Sequence, residues 1–165
     1  MKEIIRQLAA YNVWANEKIT ETALLVPDDK MQETITSSFS SIQKTILHIL
    51  DAESIWWQRF RLQEKIIRPS EVFNGHAREL AAELIAQSKR WEAWVHQATD
   101  NQLEHVFQYH TFSGEQFKQP TWQMLVHVFN HGTYHRGQLV TMFRQAGITK
   151  LPATDFVLWT RGQKK

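Results

Sequence analysis

PTWQMLVHVFNHGTYHRGQLVTMFRQAG, residues 120 to 147, carries a helical repeat about seven turns long. Pro120-Thr121 opens a helix and Gly147 stops it. At about 100° per residue, Leu125, Phe129, Gly132, Arg136, Leu139 and Phe143 fall on one face. Gln123, Asn130, Tyr134, Thr141 and Gln145 fall on another, which should meet water. His127, His131 and His135 lie between these faces, beside Met124 and Met142.

The same periodicity recurs upstream. Residues 3 to 25 read as a first helix, with Ile4, Leu8, Tyr11, Ala15, Ile19 and Thr22 at three- and four-residue spacing, ended by Pro27-Asp28-Asp29. The polar stretch MQETITSSFS leads to Ser40 or Ser41 as N-cap of a second helix, about 41 to 62, whose stripe is Ile42, Ile46, Ile49 and Trp56. Pro69 and Asn74-Gly75 punctuate a loop. A third helix, about 76 to 98, turns Leu80, Leu84, Trp91, Trp94 and Val95 inward. HVFQYHTFSGEQFK alternates around Ser113-Gly114 as a short β-hairpin. The tail LPATDFVLW adds a turn of helix against the rest. The fold class is therefore all-α: a four-helix bundle with a short β-hairpin before the last long helix, one domain over residues 1–165.

Composition narrows the function. No apolar run approaches the roughly 20 residues of a membrane span. A formal charge of +2 with interspersed acids and bases gives no basic block for nucleic acid. Zero cysteines exclude disulfides and thiolate metal ligands, and fit a cytoplasmic chain. Eight histidines and seven tryptophans are the unusual counts; the indoles belong in cores or contacts, and the imidazoles carry the chemistry.

Geometry limits what the histidines of the fourth helix can do. His127 and His135 stand about 12 Å apart along the axis, too far to share an ion at ~2.1 Å from each nitrogen. One ion can take His127 with His131, or His131 with His135, and the second pair leans toward the apolar side. A third ligand must come from another helix. His48, in TILHILDAESIWW, is the best candidate: it shares a face with Thr45, Ala52 and Ile55, flanking its helix's apolar stripe as the pair flanks its own. His76, His96, His105 and His110 read as surface residues, with His110 alone able to approach from the hairpin. Tyr134 points outward, and no Ser or Lys is spaced as a nucleophile.

HILDAESIWW combined with HVFNHGTYHRGQ resembles the DinB-like proteins, and YNVWANEKI, FSSIQKTILHILDAE and TDFVLW extend the likeness over nearly the whole chain. The resemblance implies a three-His site, at positions that match His48, His131 and His135, for one divalent ion such as zinc or nickel. It also implies a bacterial homodimeric bundle, related to thiol-S-transferase and maleylpyruvate isomerase branches that use low-molecular-weight thiols. A metal-dependent enzyme, a thiol-S-transferase or hydrolase acting on a small molecule, is one reading. A non-catalytic metal-binding dimer with a structural, storage or sensing role is the other.

Glu53, Arg136 and Asn12 stand where the periodicity calls for apolar residues. Buried charges are paired or neutralised, so Glu53 and Arg136 are expected to form an interhelical ion pair, with Asn12 sharing its hydrogen bonds. The second helix is also apolar off its stripe, at Leu47, Leu50 and Trp57, which calls for burial on both sides and a homodimer. Light scattering at micromolar concentration checks this: a dimer is expected, and a 19.4 kDa monomer contradicts it.

Overall fold

A computed structural model describes residues 1–162. Four long helices dominate: α1 (Lys2–Ala23), α3 (Ile42–Phe60), α5 (Ala77–Gln97) and α7 (Thr121–Gln145). Three short ones sit in the connections, α2 (Asp28–Gln32), α4 (Pro69–Val72) and α6 (Asp100–Glu104), and α8 (Phe156–Gly162) closes the order. The hairpin β1 (Val106–His110) and β2 (Gln116–Pro120) precedes α7, with Gly114 taking the positive φ of its turn. No described helix is long and apolar enough to cross a membrane.

The sequence explains the boundaries. The Ser41 hydroxyl accepts from the Lys44 backbone N–H, satisfying one of the donors α3 leaves free at its start. Gly147, at φ +91, lets α7 end in a Schellman turn: Gly147 N–H donates to Arg144 O and Ile148 N–H to Phe143 O. Asp28–Gln32 is a short helix where the double aspartate was expected only to stop α1, and Pro69 opens α4 instead of merely breaking a loop. On α1 the buried residue is Ile5, whereas Ile4 is exposed: the core stripe drifts one position from the expected one.

Helix α1 packs on α5 and α7, and α3 packs on the same two, so α1 faces α3 across the diagonal. Residue order gives the directions. α1 and α7 run one way, α3 and α5 the other, because each passes between the same two apolar clusters. Neighbours α3 and α5 are therefore parallel, and the chain must return the full bundle length between them. The stretch containing α4 makes that return, held to α3 where Asp51 accepts from Ser70 N–H at 2.8 Å and Ser70 Oγ–H at 2.6 Å.

One cluster gathers Ile19, Ile42, Ile46, Leu80, Leu84 and Phe143; the other gathers Ile5, Trp91, Val95, Leu125 and Phe129. Between them every long helix contributes polar groups to one buried layer: Asn12 and Asn16, Glu53, Ser88, and Arg136. The expected direct pair of Glu53 and Arg136 does not form. Two asparagines from α1 stand between them. Asn12 and Asn16 each donate Nδ2–H to Glu53 Oε1, at 2.8 and 3.0 Å, and each offers Oδ1 to Arg136 Nη1 at 2.8 Å. A carboxamide carries donor and acceptor on one group, so it can join a carboxylate to a guanidinium when the bundle axis holds them apart. Ser88 Oγ–H adds a bond to Glu53 Oε2 at 2.9 Å, and Thr133 Oγ1 accepts from Arg136 Nη2 at 2.9 Å. Burial pushes the Glu53 carboxyl up, while the bonds from Asn12, Ser88 and Asn16 and the Arg136 charge pull it back.

Leu50 is buried, Leu47 packs against the first cluster, and Trp57 sits edge-on to Trp91 at 4.8 Å. The chain itself covers these residues, so they do not by themselves require a second copy. The tail docks as expected: Tyr11 Oη–H donates to Thr154 O at 2.6 Å, and Trp159 packs with Tyr11 and Ala15.

Two glycines of α7 separate packing from propensity. A Cβ on Gly132 would lie 2.8 Å from Arg136 Nη1 and 3.1 Å from Asn12 Oδ1, whereas one on Gly137 meets nothing within 4 Å. Gly132→Ala is expected to cost about 1–3 kcal/mol by overpacking, and Gly137→Ala to gain roughly 0.5–1 kcal/mol by helix propensity. Urea unfolding of both variants checks the opposite signs.

Candidate metal centre

Adjacent helices α3 and α7 build the site from their facing flanks. His48, His131 and His135 each offer a ring nitrogen, and these atoms all lie within 4.8 Å of one another. His48 Nε2 and His131 Nε2 are 3.0 Å apart. Two nitrogens on one ion at ~2.1 Å, held in cis or tetrahedral positions, would stand about 3.0–3.4 Å apart. That pair stands at the spacing of two ligands on one ion, and with His135 the group could hold a metal ion. His127 lies outside it: it is exposed, with its ring 5.9 Å from that of His131, at the edge predicted by its rotation around α7. His76, His96, His105 and His110 are all exposed and none joins the group.

Burial sets the charge state. Desolvation, with the neighbouring His135, lowers the His48 pKa to about 4. Desolvation, with His135, His48 and His127, lowers that of His131 to about 3. His135 is also lowered by burial, opposed by its bond to Gln138. All three are neutral imidazoles near pH 7, the form that binds a metal.

Supporting contacts orient the rings. His135 Nδ1 meets Gln138 Oε1 at 2.8 Å, and Gln138 Nε2–H donates to Ser38 Oγ at 2.8 Å. With the amide so placed, Nδ1 carries the proton and Nε2 keeps its lone pair for a ligand bond. Phe39 stacks on His48, ring centroids 4.0 Å apart, and stands edge-on to His135 at 5.6 Å. The sequence reading gave no role to Ser38, Phe39 or Gln138. For Ser38 and Phe39 the signal available was the SSFS stretch, residues 37 to 40, just ahead of α3, which has no periodicity to reveal what its side chains cover.

A cleft of about 470 Å³ opens onto His48 and His131 and is lined further by Phe39, Trp56, His127 and Phe112. A larger hollow of about 650 Å³ lies between α1 and α5, at the opposite side of the bundle, among Arg6, Lys89, Glu92 and Trp159. Among the described residues the one group that could hold a metal ion lies at the smaller cleft.

The model of the DinB family matches residues 1–164. Protein DinB of Bacillus subtilis (strain 168) is 30% identical over 168 residues, spanning 96% of this chain and 95% of its own length. Among solved structures, YfiT from Bacillus subtilis, described as "a probable metal-dependent hydrolase with an unusual four-helix bundle topology", aligns with a TM-score of 0.73 at 16% identity, over 90% of this chain and 91% of its own. A DinB-like protein from Bacillus cereus ATCC 10987 aligns with a TM-score of 0.67 at 20% identity, over 87% of this chain and 91% of its own. At these identities the structural likeness speaks to the fold.

Metal analysis of protein purified without an affinity tag tests the ligand set. His48→Ala, His131→Ala and His135→Ala are each expected to lose the ion, and His127→Ala to keep it. Loss in His127→Ala together with retention in His135→Ala would mean that the other pair on α7 binds.

Proposed function

The chain belongs to the DinB family, and from that premise we propose that it is a metal-dependent enzyme. In this reading His48, His131 and His135 hold one divalent ion, zinc or nickel, and the reaction is hydrolysis or thiol transfer on a small molecule. The observation that carries the proposal is the cleft of about 470 Å³ that opens onto two of the three histidines. A volume in the range of small-molecule sites, beside a ligand set of three, is what a substrate needs. A storage or purely structural ion needs no such opening, so the non-catalytic reading comes second. The description of YfiT as a probable metal-dependent hydrolase supports the same choice.

When bound, a divalent ion supplies Lewis acidity, lowering the pKa of a water or thiol that reaches it. The protein's own part is to prepare that environment. Three neutral imidazoles leave the ion's positive charge uncompensated. Gln138 and Phe39 fix the rings, so little reorganisation accompanies binding. Ile55, Trp56 and Phe112 present apolar surface along the cleft. His127 lines the same cleft outside the ligand set, edge-on to Trp56 at 5.5 Å, and is the imidazole placed to take or return a proton at a ring nitrogen. With no cysteine in the chain, any thiol arrives as a substrate. The homodimer belongs to the same proposal, on the strength of the resemblance.

A paired screen tests the reaction class. One arm offers ester, amide and lactone substrates; the other offers low-molecular-weight thiols with electrophiles. Activity is expected in one arm, lost on chelation, restored by zinc or nickel, and reduced by a factor on the order of 10² or more in His131→Ala. Full activity after verified metal removal would contradict the proposal.

A further inference from the structure

At the end of the cleft away from the triad stand two arginines, Arg59 at the close of α3 and Arg68 on the crossover before α4. Both guanidinium groups lie on the ring of Phe112, from the hairpin turn, with Cζ to centroid distances of 5.2 Å and 4.1 Å. Arg59 also stacks on Trp56 at 5.0 Å and Tyr109 at 5.6 Å. Three aromatic rings thus hold this cation in place, yet among the described residues it has no hydrogen bond or ion pair, and its buried Nε is unpartnered. Arg68 has one acidic neighbour, Glu71, at 3.7 Å and exposed to solvent, a weak contact. The one carboxylate lining the cleft, Asp51, has both oxygens engaged by Ser70.

A guanidinium fork that is positioned by stacking and has no anion of its own is a receptor for an oxyanion. The hydrogen bonds from Ser70 leave Asp51 its charge, but it forms no ion pair with either arginine. The geometry points to a substrate that carries a carboxylate or phosphate group, gripped by Arg59 and Arg68, with its reacting part toward His48 and His131. This deepens the proposed function and rests on it for the reacting end, while the arginine subsite stands on contacts that need no ion. Phe112 ties the two arginines together, so the hairpin turn becomes part of the specificity apparatus.

The test follows the arginine Nε–H signals of ¹⁵N-labelled protein, assigned through Arg59→Lys and Arg68→Lys, in zinc-loaded and metal-free samples. Succinate and inorganic phosphate are the anionic probes, and succinamide the uncharged control. The Arg59 and Arg68 signals are expected to move together and saturably with succinate, phosphate or both, and to ignore succinamide. Arg59→Gln and Arg68→Gln should each weaken binding about tenfold or more. Equal shifts with succinamide, unsaturable drift of all arginines alike, or unchanged affinity in both glutamine variants would overturn the inference. The two proposals fail separately. Arginine shifts in protein that never takes up zinc would sink the metal reading and sustain this one; zinc bound by the triad with both arginines silent would do the reverse.

Discussion

The buried polar layer at mid-height is the constraint on which the rest of the bundle depends. Glu53 and Arg136 are both almost completely removed from water, and neither has a partner of opposite charge in direct contact. Unsatisfied, either group would cost several kcal/mol. Their bonds run through Asn12 and Asn16, and Gly132 supplies the space into which the guanidinium folds. An apolar cluster tolerates a small rotation of a helix; a set of donors and acceptors at 2.8–3.0 Å does not. The layer therefore fixes the rotation and depth of α7 relative to α1 and α3.

That rotation places the chemistry. His135 precedes Arg136 in the chain, and His131 lies one turn earlier, so turning Arg136 to the axis turns both imidazoles to the flank facing α3. Glu53 does the same for α3, presenting His48 from the opposite side. The polar layer acts on the site by positioning, without touching it. Phe39, Ser38 and Gln138 then close over the rings from outside. The burial that lowers the imidazole pKa values and the opening toward Arg59 and Arg68 are two aspects of one arrangement: a partly buried end that keeps the imidazoles neutral and a cationic end.

Much of this was legible in the sequence because helical periodicity is a strong signal over twenty residues. It located the four long helices to within about two residues, ranked His127, His131 and His135 by burial, and marked Glu53, Arg136 and Asn12 as polar residues in apolar positions. What it missed has physical reasons. Asn16 and Ser88 are as polar as any surface residue, and nothing local tells a buried amide from a solvated one. The relay through two asparagines depends on α1 lying across the diagonal from α3, a topology that no pattern within one helix encodes. Ser38 and Phe39 lie in an aperiodic stretch. Arg59, Arg68 and Phe112 come together only because the crossover and the hairpin turn fold over the same end of α3.

The claim that the buried layer aims His48, His131 and His135 at one another is tested most directly by the zinc affinity of Arg136→Met, measured by chelator competition on protein whose helix content matches that of the unmodified chain. The substitution keeps the volume close and leaves all three histidines in place. A loss of affinity of about tenfold or more, the scale expected when supporting contacts are removed, is what the account predicts. A variant that is folded, less stable, and binds zinc as tightly as before would contradict it.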